Sequence, residues 1–255
     1  MEKQNIFITN DDGINAKGLR ALIEVASEFG KVTVVAPEYG MSGMSHSITM
    51  SEPLFLRKIK ISEDAVVYAC QGSPVDCVKI AVDYLMKKKP TLVLSGINHG
   101  ANSNMSVLYS GTMGAAMEGA LYSIPSIGLS LLNHEPTADF TTAKAIAKRI
   151  IKGVLEQNRN PKICLNVNIP DIPLEEIAGI KVCKQATGCW IEEFEPKLNP
   201  RGNEYFWLVG KYVSDEPECQ TNDEWALRHN YVSVVPVQTD LTDYRQLDTM
   251  HQWTL

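Results

Sequence analysis

Apolar and polar positions along the first two thirds of the chain predict strands and helices in turn. Apolar or β-branched runs, typical of strands, occur at residues 5–9, 32–36, 65–70, 91–95, 124–131 and 163–167, with one or two further strands over 48–61 interrupted at Pro53. Between them, apolar residues recur at helical spacing over about 19–29, 73–86, 110–122 and 137–157. Continuous apolar strands favour a sheet covered on both faces. The pattern therefore predicts an α/β fold with a mainly parallel sheet.

The pattern changes after about residue 180, where turn residues and aromatic residues alternate and suggest hairpins. The aromatic residues of this part include Trp190, Phe194, Tyr205, Phe206 and Trp207. No repeat or low-complexity linker separates the two parts. We therefore predict a single domain over residues 1–255, with a core of about 1–180 and a C-terminal elaboration of about 181–255.

Composition narrows the class of protein. Hydrophobic residues make up 44% of the chain and charged residues 21%, which is typical of a globular protein. The net charge of -6 argues against binding to nucleic-acid polymers, which favours a basic surface. An acidic protein can still bind a phosphorylated small molecule where a metal ion reverses the local charge.

No stretch reaches the roughly 18 apolar residues that a membrane span needs, and the N-terminus shows no signal-peptide pattern. We therefore expect a cytoplasmic protein with no membrane partner. The cysteines lack a CxxC pair, so we expect buried thiols and no structural zinc site. They are Cys70, Cys77, Cys164, Cys183, Cys189 and Cys219.

Three polar clusters follow three of the predicted strands. They cover residues 10–13, 38–47 and 96–102. The carboxyl ends of parallel strands lie on one edge of a sheet, and ligands bind in the crevice there. The clusters are therefore predicted to converge in space although they are far apart in the sequence.

Converged, these clusters would supply oxygen ligands for a metal ion. Asp11 and Asp12 carry carboxylates, while Ser42, Asn98 and Asn102 carry neutral oxygens. Mg²⁺ and Mn²⁺ prefer such ligands, whereas zinc favours His or Cys. Two carboxylates nearly neutralise the ion, so a phosphate and a water can still approach it. By itself, an Asp-Asp-Gly sequence favours the simpler interpretation of an ordinary polar turn.

The start of the third predicted helix offers an anion site. Hydroxyls and free N–H groups at Ser110, Gly111 and Thr112 suit a phosphate, although Ser110 also fits a simple helix N-cap. His46 and His99 each lie in a polar cluster. Either could donate a proton to a leaving alkoxide, or be a loop histidine without such a role.

Together the clusters resemble the SurE family, the survival-protein 5'/3'-nucleotidases. The resemblance runs in order along nearly the whole chain. The matching segments are residues 6–14, 35–37 with 42–49, 72–78, 95–102, 109–112 with 116–119, 166–170 and 231–235.

The resemblance implies a Rossmann-like three-layer α/β/α core. It implies one divalent metal ion per subunit, Mg²⁺ or Mn²⁺, held by Asp11, Asp12, Ser42 and Asn98. It places Asn102, Ser110, Gly111 and Thr112 around the phosphate, and we add His46 to this substrate-binding set. It also implies that C-terminal elements are exchanged between subunits in a homodimer or homotetramer.

The implied activity is hydrolysis of nucleoside 5'- and 3'-monophosphates, with short polyphosphate as a further substrate class. We expect a metal-activated water to attack phosphorus, with Asp11 or Asp12 as its base. The family's loop usually carries a basic residue where Gly40 and Met41 stand in this chain. The absence of that residue would weaken polyphosphate binding. Residues 104–106 also depart from the Gly- and acid-containing run common in the family.

Two other functions remain open on the sequence. Aspartyl-phosphate phosphatases also place Asp after a first strand, but their nucleophile and acid are one residue apart, whereas Asp11 and Asp12 are adjacent. A non-catalytic sensor could bind metal and nucleotide without cleavage. A NAD-type site is disfavoured because no GxGxxG motif follows the first strand.

Overall fold

Strands interspersed with helices make up the chain as far as residue 169, and the computed structural model describes residues 4–61, 65–157 and 160–253. The strands of this first part are β1 (Gln4–Thr9), β2 (Gly30–Pro37), β3 (Leu56–Ile61), β4 (Ala65–Cys70), β5 (Leu92–His99), β6 (Ser126–Leu131) and β7 (Cys164–Ile169). Its helices are α1 (Lys17–Ser27), α2 (Pro74–Ile80, continued by a π-helical turn at Ala81–Leu85), α3 (Gly111–Leu121) and α4 (Thr141–Gln157). A 3₁₀ turn at Asn104–Leu108 precedes α3.

The remaining elements are mostly short strands. They are a 3₁₀ turn at Leu174–Glu176, β8 (Gly179–Val182), β9 (Gly188–Ile191), β10 (Phe194–Leu198), β11 (Glu204–Leu208), β12 (Lys211–Ser214), α5 (Asp223–Arg228), β13 (Tyr231–Val237) and α6 (Tyr244–Met250).

In the described residues, one large sheet has the strand order β3-β4-β2-β1-β5-β6-β7-β13-β8. Most neighbours are parallel; β3 runs antiparallel to β4, and β13 antiparallel to β7. The chain leaves β1 toward β2 on one side and later returns to β5 on the other side. The carboxyl ends of β1 and β5 therefore form the topological switch point where ligands bind in such sheets. The predicted α/β fold with a mainly parallel sheet is confirmed.

Helices cover both faces of this sheet. On one face, Leu22 of α1 and Ile146 of α4 pack in a core with Ile6 and Ile8 of β1. On the other face, Phe7 of β1 packs with apolar residues of α2 and α3. Successive strand residues point to opposite faces, so one short apolar strand contributes to both cores. The result is the expected α/β/α layering.

The segment before β3 differs from its prediction as strand. Residues 48–53 form no strand, because the Thr49 N–H donates to the Asp76 carboxylate at the start of α2. Asp76 also accepts from the Ser73 N–H in a capping box, which confirms the predicted helix start at Ser73-Pro74. The polar stretch from residue 38 therefore stays irregular as far as residue 55.

Three predicted boundaries move. The helix predicted as far as about residue 29 ends at Ser27, and Gly30 is already the first residue of β2, where a Cβ would lie 2.1 Å from the Gln4 carbonyl oxygen. β5 extends past Ser95 to His99, so part of the third polar cluster is itself strand. The helix expected from about residue 137 begins at Thr141.

The C-terminal part contributes to the main sheet. β13 inserts between β7 and β8, so the sheet extends beyond the predicted core of residues 1–180. The expected hairpins are present: β9 pairs with β12 and β10 with β11, and Val209 N–H donates to the Glu193 carbonyl between them at 2.7 Å. We call residues 188–214, which contain these two pairs of strands, the arm.

The cysteine side chains test the expectation of buried thiols. The cysteines are all unpaired, and those at 70, 77, 164 and 183 are buried as predicted. Cys189 is exposed and Cys219 half-buried, so the prediction of buried thiols is wrong for these two, which lie in the arm and after it.

Among the described helices, none combines the length and apolar character that crossing a membrane requires.

Candidate metal and phosphate site

The predicted polar clusters meet at the switch point. Asp11 and Asp12 follow the carboxyl end of β1, and the His99 N–H at the end of β5 donates to Asp12 Oδ2 at 3.0 Å. The Met41 N–H, in the loop after β2, donates to the Asp11 carbonyl at 2.7 Å. The first cluster therefore contacts both of the others, as the sheet topology leads one to expect.

Asp11 lies deep in this junction, with 3% of its surface exposed. Its Oδ1 accepts a hydrogen bond from Thr112 Oγ1 at 2.5 Å, which brings the start of α3 against β1. At Gly111 an added Cβ would lie 2.9 Å from Asp11 Cβ, so only glycine permits this approach. Helix α3 therefore begins in direct contact with the first carboxylate.

Both carboxyls have altered acidity. Burial, and to a smaller degree the nearby Asp12 carboxylate, raise the pKa of Asp11 to about 6 against the lowering effect of the hydrogen bond from Thr112. Burial also raises the pKa of Asp12, while the His99 N–H opposes this. Two adjacent desolvated carboxylates are unfavourable when both are charged, and a cation between them relieves the penalty.

Asn98 lies at an irregularity in β5, directly before His99. The pairing of β5 with β6 shifts between Ser95 and Asn98. Gly96 there has φ of +129°, and a Cβ would lie 2.3 Å from the Leu129 carbonyl oxygen. Asn98 is 7% exposed and its Nδ2 donates to the Gly100 carbonyl at 2.8 Å, which leaves Oδ1 as its acceptor toward a ligand.

Ser42 is placed less closely. Its neighbour Met41 is bonded to Asp11, but the Ser42 side chain is exposed, and no hydrogen bond among the described residues ties it to either carboxylate. Its assignment as a ligand stays a prediction.

The start of α3 is more occupied than its sequence suggests. Ser110 is the N-cap, with Oγ accepting from the Met113 N–H at 3.0 Å, so the simpler interpretation of this serine holds. The Thr112 N–H as well as its hydroxyl points to the Asp11 carboxyl. Of the N–H groups in the first turn, that of Gly111 has no partner in the described part of the chain and is the one left for an anion.

Asn102 is buried and closely held. Its Nδ2 donates to Ser130 Oγ at 2.8 Å, its N–H donates to Asn168 Oδ1 at 2.7 Å, and its carbonyl accepts from Asn166 Nδ2 at 2.7 Å. Its side chain therefore has a defined position near the end of β5.

The two candidate histidines have different surroundings. His46 packs on α3 near Gly114, and its Nε2 pairs with Glu118 Oε2 at 2.9 Å, which leaves only Nδ1 for a substrate. Glu118 also pairs with Lys79 at 2.8 Å, and these partners hold the pKa of its buried carboxyl below the usual range although burial raises it. His99 turns its ring edge-on to Phe140, and its buried Nδ1 has no partner among the described residues.

The donor set fits a hard metal ion. In the described residues no third His, Cys, Asp or Glu joins Asp11 and Asp12 to form a larger metal-binding group. The further ligands available are therefore neutral oxygens such as Asn98 Oδ1, together with water. Two carboxylates with neutral oxygens suit Mg²⁺ or Mn²⁺ and do not suit zinc.

Comparison with known proteins decides the family. The family model described as "Survival protein SurE" matches residues 6–192 of the chain. The chain belongs to the SurE family. It is 48% identical over 256 residues to a protein named 5'-nucleotidase SurE from Christiangramia forsetii, with 100% of this chain and 98% of that protein covered.

A second relative and a solved structure agree. The protein named 5'-nucleotidase SurE from Flavobacterium psychrophilum is 46% identical over 256 residues, covering 100% of this chain and 99% of that protein. The crystal structure of SurE protein from Aquifex aeolicus superposes with a TM-score of 0.82 at 37% identity, covering 96% of this chain and 98% of that one. The resemblance to the SurE family inferred from the motifs is confirmed.

Several residues at this SurE site were missed from the sequence. They are Glu118, which pairs with His46, and Ser130, Asn166 and Asn168, which surround Asn102. A signal was available for two of them: Asn166 and Asn168 are polar residues two apart in an otherwise apolar strand, so both point to the same face. Glu118 gave a comparable signal, because it is an acidic residue in helix α3, which otherwise consists mostly of small or apolar residues.

Proposed function

We propose that the chain is a metal-dependent phosphomonoesterase that hydrolyses nucleoside 5'-monophosphates to nucleoside and phosphate. The observation that carries the proposal is the pair of adjacent carboxylates, Asp11 and Asp12, held at the switch point of the sheet beside Asn98 and the start of α3. Relatives that align over the full chain at 46–48% identity are named 5'-nucleotidases, which supports the substrate class.

The residues proposed to hold one divalent ion are Asp11, Asp12, Asn98 and Ser42. When bound, the ion supplies Lewis acidity at the phosphoryl group and at the attacking water. Mg²⁺ and Mn²⁺ are the proposed ions because the available ligands are oxygens. Without a bound cation the two carboxylates would repel an anionic substrate, and the ion's charge would offset that repulsion.

The protein's own groups then orient the reaction. Thr112 holds Asp11 in one position through its hydroxyl, and the His99 N–H does the same for Asp12. The Gly111 N–H and the amide of Asn102 are proposed to bind the phosphoryl oxygens. Asp11 or Asp12 is the proposed base for the water's proton, because these are the two carboxylates of the site.

The leaving nucleoside oxygen needs a proton. His46 is the proposed donor through Nδ1, since Nε2 is paired with Glu118. Hydrolysis of 3'-monophosphates is part of the same proposal. Short polyphosphate is proposed as a poor substrate, because Gly40 and Met41 bring no cationic side chain to the loop beside Asp11.

Phosphate release from AMP, 3'-AMP and tripolyphosphate, measured after chelation and again with Mg²⁺, Mn²⁺ or Zn²⁺, tests the proposal. We expect activity on AMP with Mg²⁺ or Mn²⁺, loss in Asp11→Asn and Asp12→Asn, and retention in Asp83→Asn, an exposed control. Metal and AMP binding without phosphate release would support a sensor and overturn the hydrolase. A trapped phosphoenzyme would overturn the direct attack by water.

A further inference from the structure

A row of buried polar side chains crosses four strands of the sheet next to the proposed site. Asn98 of β5 is in register with Ser130 of β6, Ser130 with Asn168 of β7, and Asn168 with Ser233 of β13. Each of these four residues is 7% exposed or less. Buried polar groups are unfavourable unless they are hydrogen-bonded, so a row of them in an apolar sheet requires an explanation.

Two members of this row, Ser130 and Asn168, form hydrogen bonds with Asn102. Ser130 Oγ accepts from Asn102 Nδ2 at 2.8 Å, and Asn168 Oδ1 accepts from the Asn102 N–H at 2.7 Å. Asn166, two residues before Asn168 on the same face of β7, donates from Nδ2 to the Asn102 carbonyl at 2.7 Å. The backbone donor, the backbone acceptor and the side-chain amide of one loop residue are thus all bonded to side chains of the sheet.

The two asparagines of β7 also brace each other. Asn168 Nδ2 donates to Asn166 Oδ1 at 3.0 Å, so each side-chain amide uses both of its ends. This pairing orients both amides, because a flipped amide would place like groups against each other. The network is buried and mutually satisfied, which makes it rigid.

We propose that Ser130, Asn166 and Asn168 are positioning residues that hold Asn102 in the orientation in which it contacts the phosphoryl group. The inference rests on the proposed function for the role of Asn102, while the hydrogen bonds that carry it are independent of that role. Because the loop is held before substrate binds, little reorganisation accompanies the reaction, and this favours the transition state. None of the three residues needs to touch the substrate.

Ser233 provides a matched control within the same row. It is fully buried like Ser130 and adjoins Asn168 in register, but its Oγ has no hydrogen-bond partner in the described residues. Ser130→Ala and Ser233→Ala therefore remove the same hydroxyl from similar surroundings, and only the first removes a contact to Asn102.

A double-mutant cycle separates positioning from general packing. We expect Ser130→Ala to lower kcat/KM for AMP about tenfold, as for loss of one oriented hydrogen bond, and Ser233→Ala to change it less than about twofold. In an Asn102→Ala background, Ser130→Ala should have no further effect on kcat/KM, because the side chain that it positions is absent. Equal effects of the two serine variants, or an undiminished effect of Ser130→Ala in that background, would overturn the proposal.

Amide hydrogen exchange supplies a readout that needs no activity. We expect Ser130→Ala, and more strongly Asn168→Leu, to speed exchange at residues 100–104 at least about tenfold, while Ser233→Ala leaves it unchanged. If Asn168→Leu fails to fold, Ser130→Ala still decides the outcome. Unchanged exchange in Ser130→Ala would refute the positioning role, whereas a wild-type protein that releases no phosphate from AMP would refute the proposed function instead.

Discussion

Thr112 Oγ1 lies 2.5 Å from Asp11 Oδ1, and this hydrogen bond joins the start of α3 to the end of β1. Both residues are buried, and the Gly111 backbone lies against the Asp11 side chain with no room for a Cβ. A helix N-terminus favours a nearby negative charge. The geometry thus keeps a desolvated carboxylate in one orientation at the place where the metal ion is proposed to bind.

Removing the Thr112 hydroxyl should impair the proposed site without leaving a cavity in the core. Thr112→Val keeps the shape of the side chain but leaves Asp11 Oδ1 without this donor. We expect kcat/KM for AMP to fall about 10- to 100-fold, as for a hydrogen bond to a charged group, and the Mn²⁺ requirement to rise. Thr112→Ser retains the hydroxyl and should recover most of the activity; equal losses in both variants would contradict this explanation.

Asp11→Asn should stabilise the protein when metal is absent. Burial raises the pKa of Asp11 from 3.8 to about 6, so over this window the folded state binds a proton that the unfolded state has released. The free energy of unfolding therefore falls as the pH rises from about 4 to about 6, and this loss persists at higher pH. A neutral amide at position 11 does not incur this loss.

Thermal unfolding in chelator tests this expectation. At pH 8 the melting temperature of Asp11→Asn should exceed that of the wild type by about 2–6 °C, and the difference should vanish near pH 4. Saturating Mn²⁺ should reverse the order, because it binds the folded wild type more tightly. A lower melting temperature for Asp11→Asn in chelator at pH 8 would show that the ionised carboxyl is not unfavourable there.

The glycine that carries β5 into the site should tolerate no side chain. Gly96 combines φ of +129° with a Leu129 carbonyl 2.3 Å from any added Cβ. We expect Gly96→Ala to reduce the free energy of unfolding by about 2 kcal/mol or more. Gly153→Ala, within α4 where nothing lies within 4 Å of an added Cβ, should instead raise it by about 0.5–1 kcal/mol. Chemical denaturation of both variants checks the contrast.

The arm is predicted to contact another subunit. Every residue of β11 is exposed, and Phe206 and Trp207 are 57% and 60% exposed although both are large and apolar. Light scattering should give the mass of a homodimer or homotetramer, and Trp207→Glu should shift the mass downward. Tyr84→Glu changes an aromatic residue outside the arm that is even more exposed, at 82%, and should leave the mass unchanged. A monomeric wild type would contradict the prediction.

Much of the fold and part of the site follow from local pattern. The apolar strands and amphipathic helices were predicted because burial on one or both faces leaves a period in the sequence. The meeting of Asp11 and Asp12 with the loop after β2 and with the end of β5 followed from topology, since parallel strands end on one edge. The Ser73-Pro74 helix start was predictable because capping depends on neighbours within three residues.

Other features depend on residues that are distant in the sequence, and only the tertiary structure decided them. Residues 48–53 resemble a strand, but the Asp76 carboxylate, held in place by its own helix, takes the Thr49 N–H. Nothing in the local sequence indicates that β13 pairs with β7, because every strand offers the same backbone groups to a neighbouring strand. The sequence by itself thus determined which residues are candidates for the chemistry. The packing of α3 and β7 decided how Asp11 and Asn102 are oriented, because hydrogen bonds between residues 64 to 101 positions apart exist only once the sheet has formed.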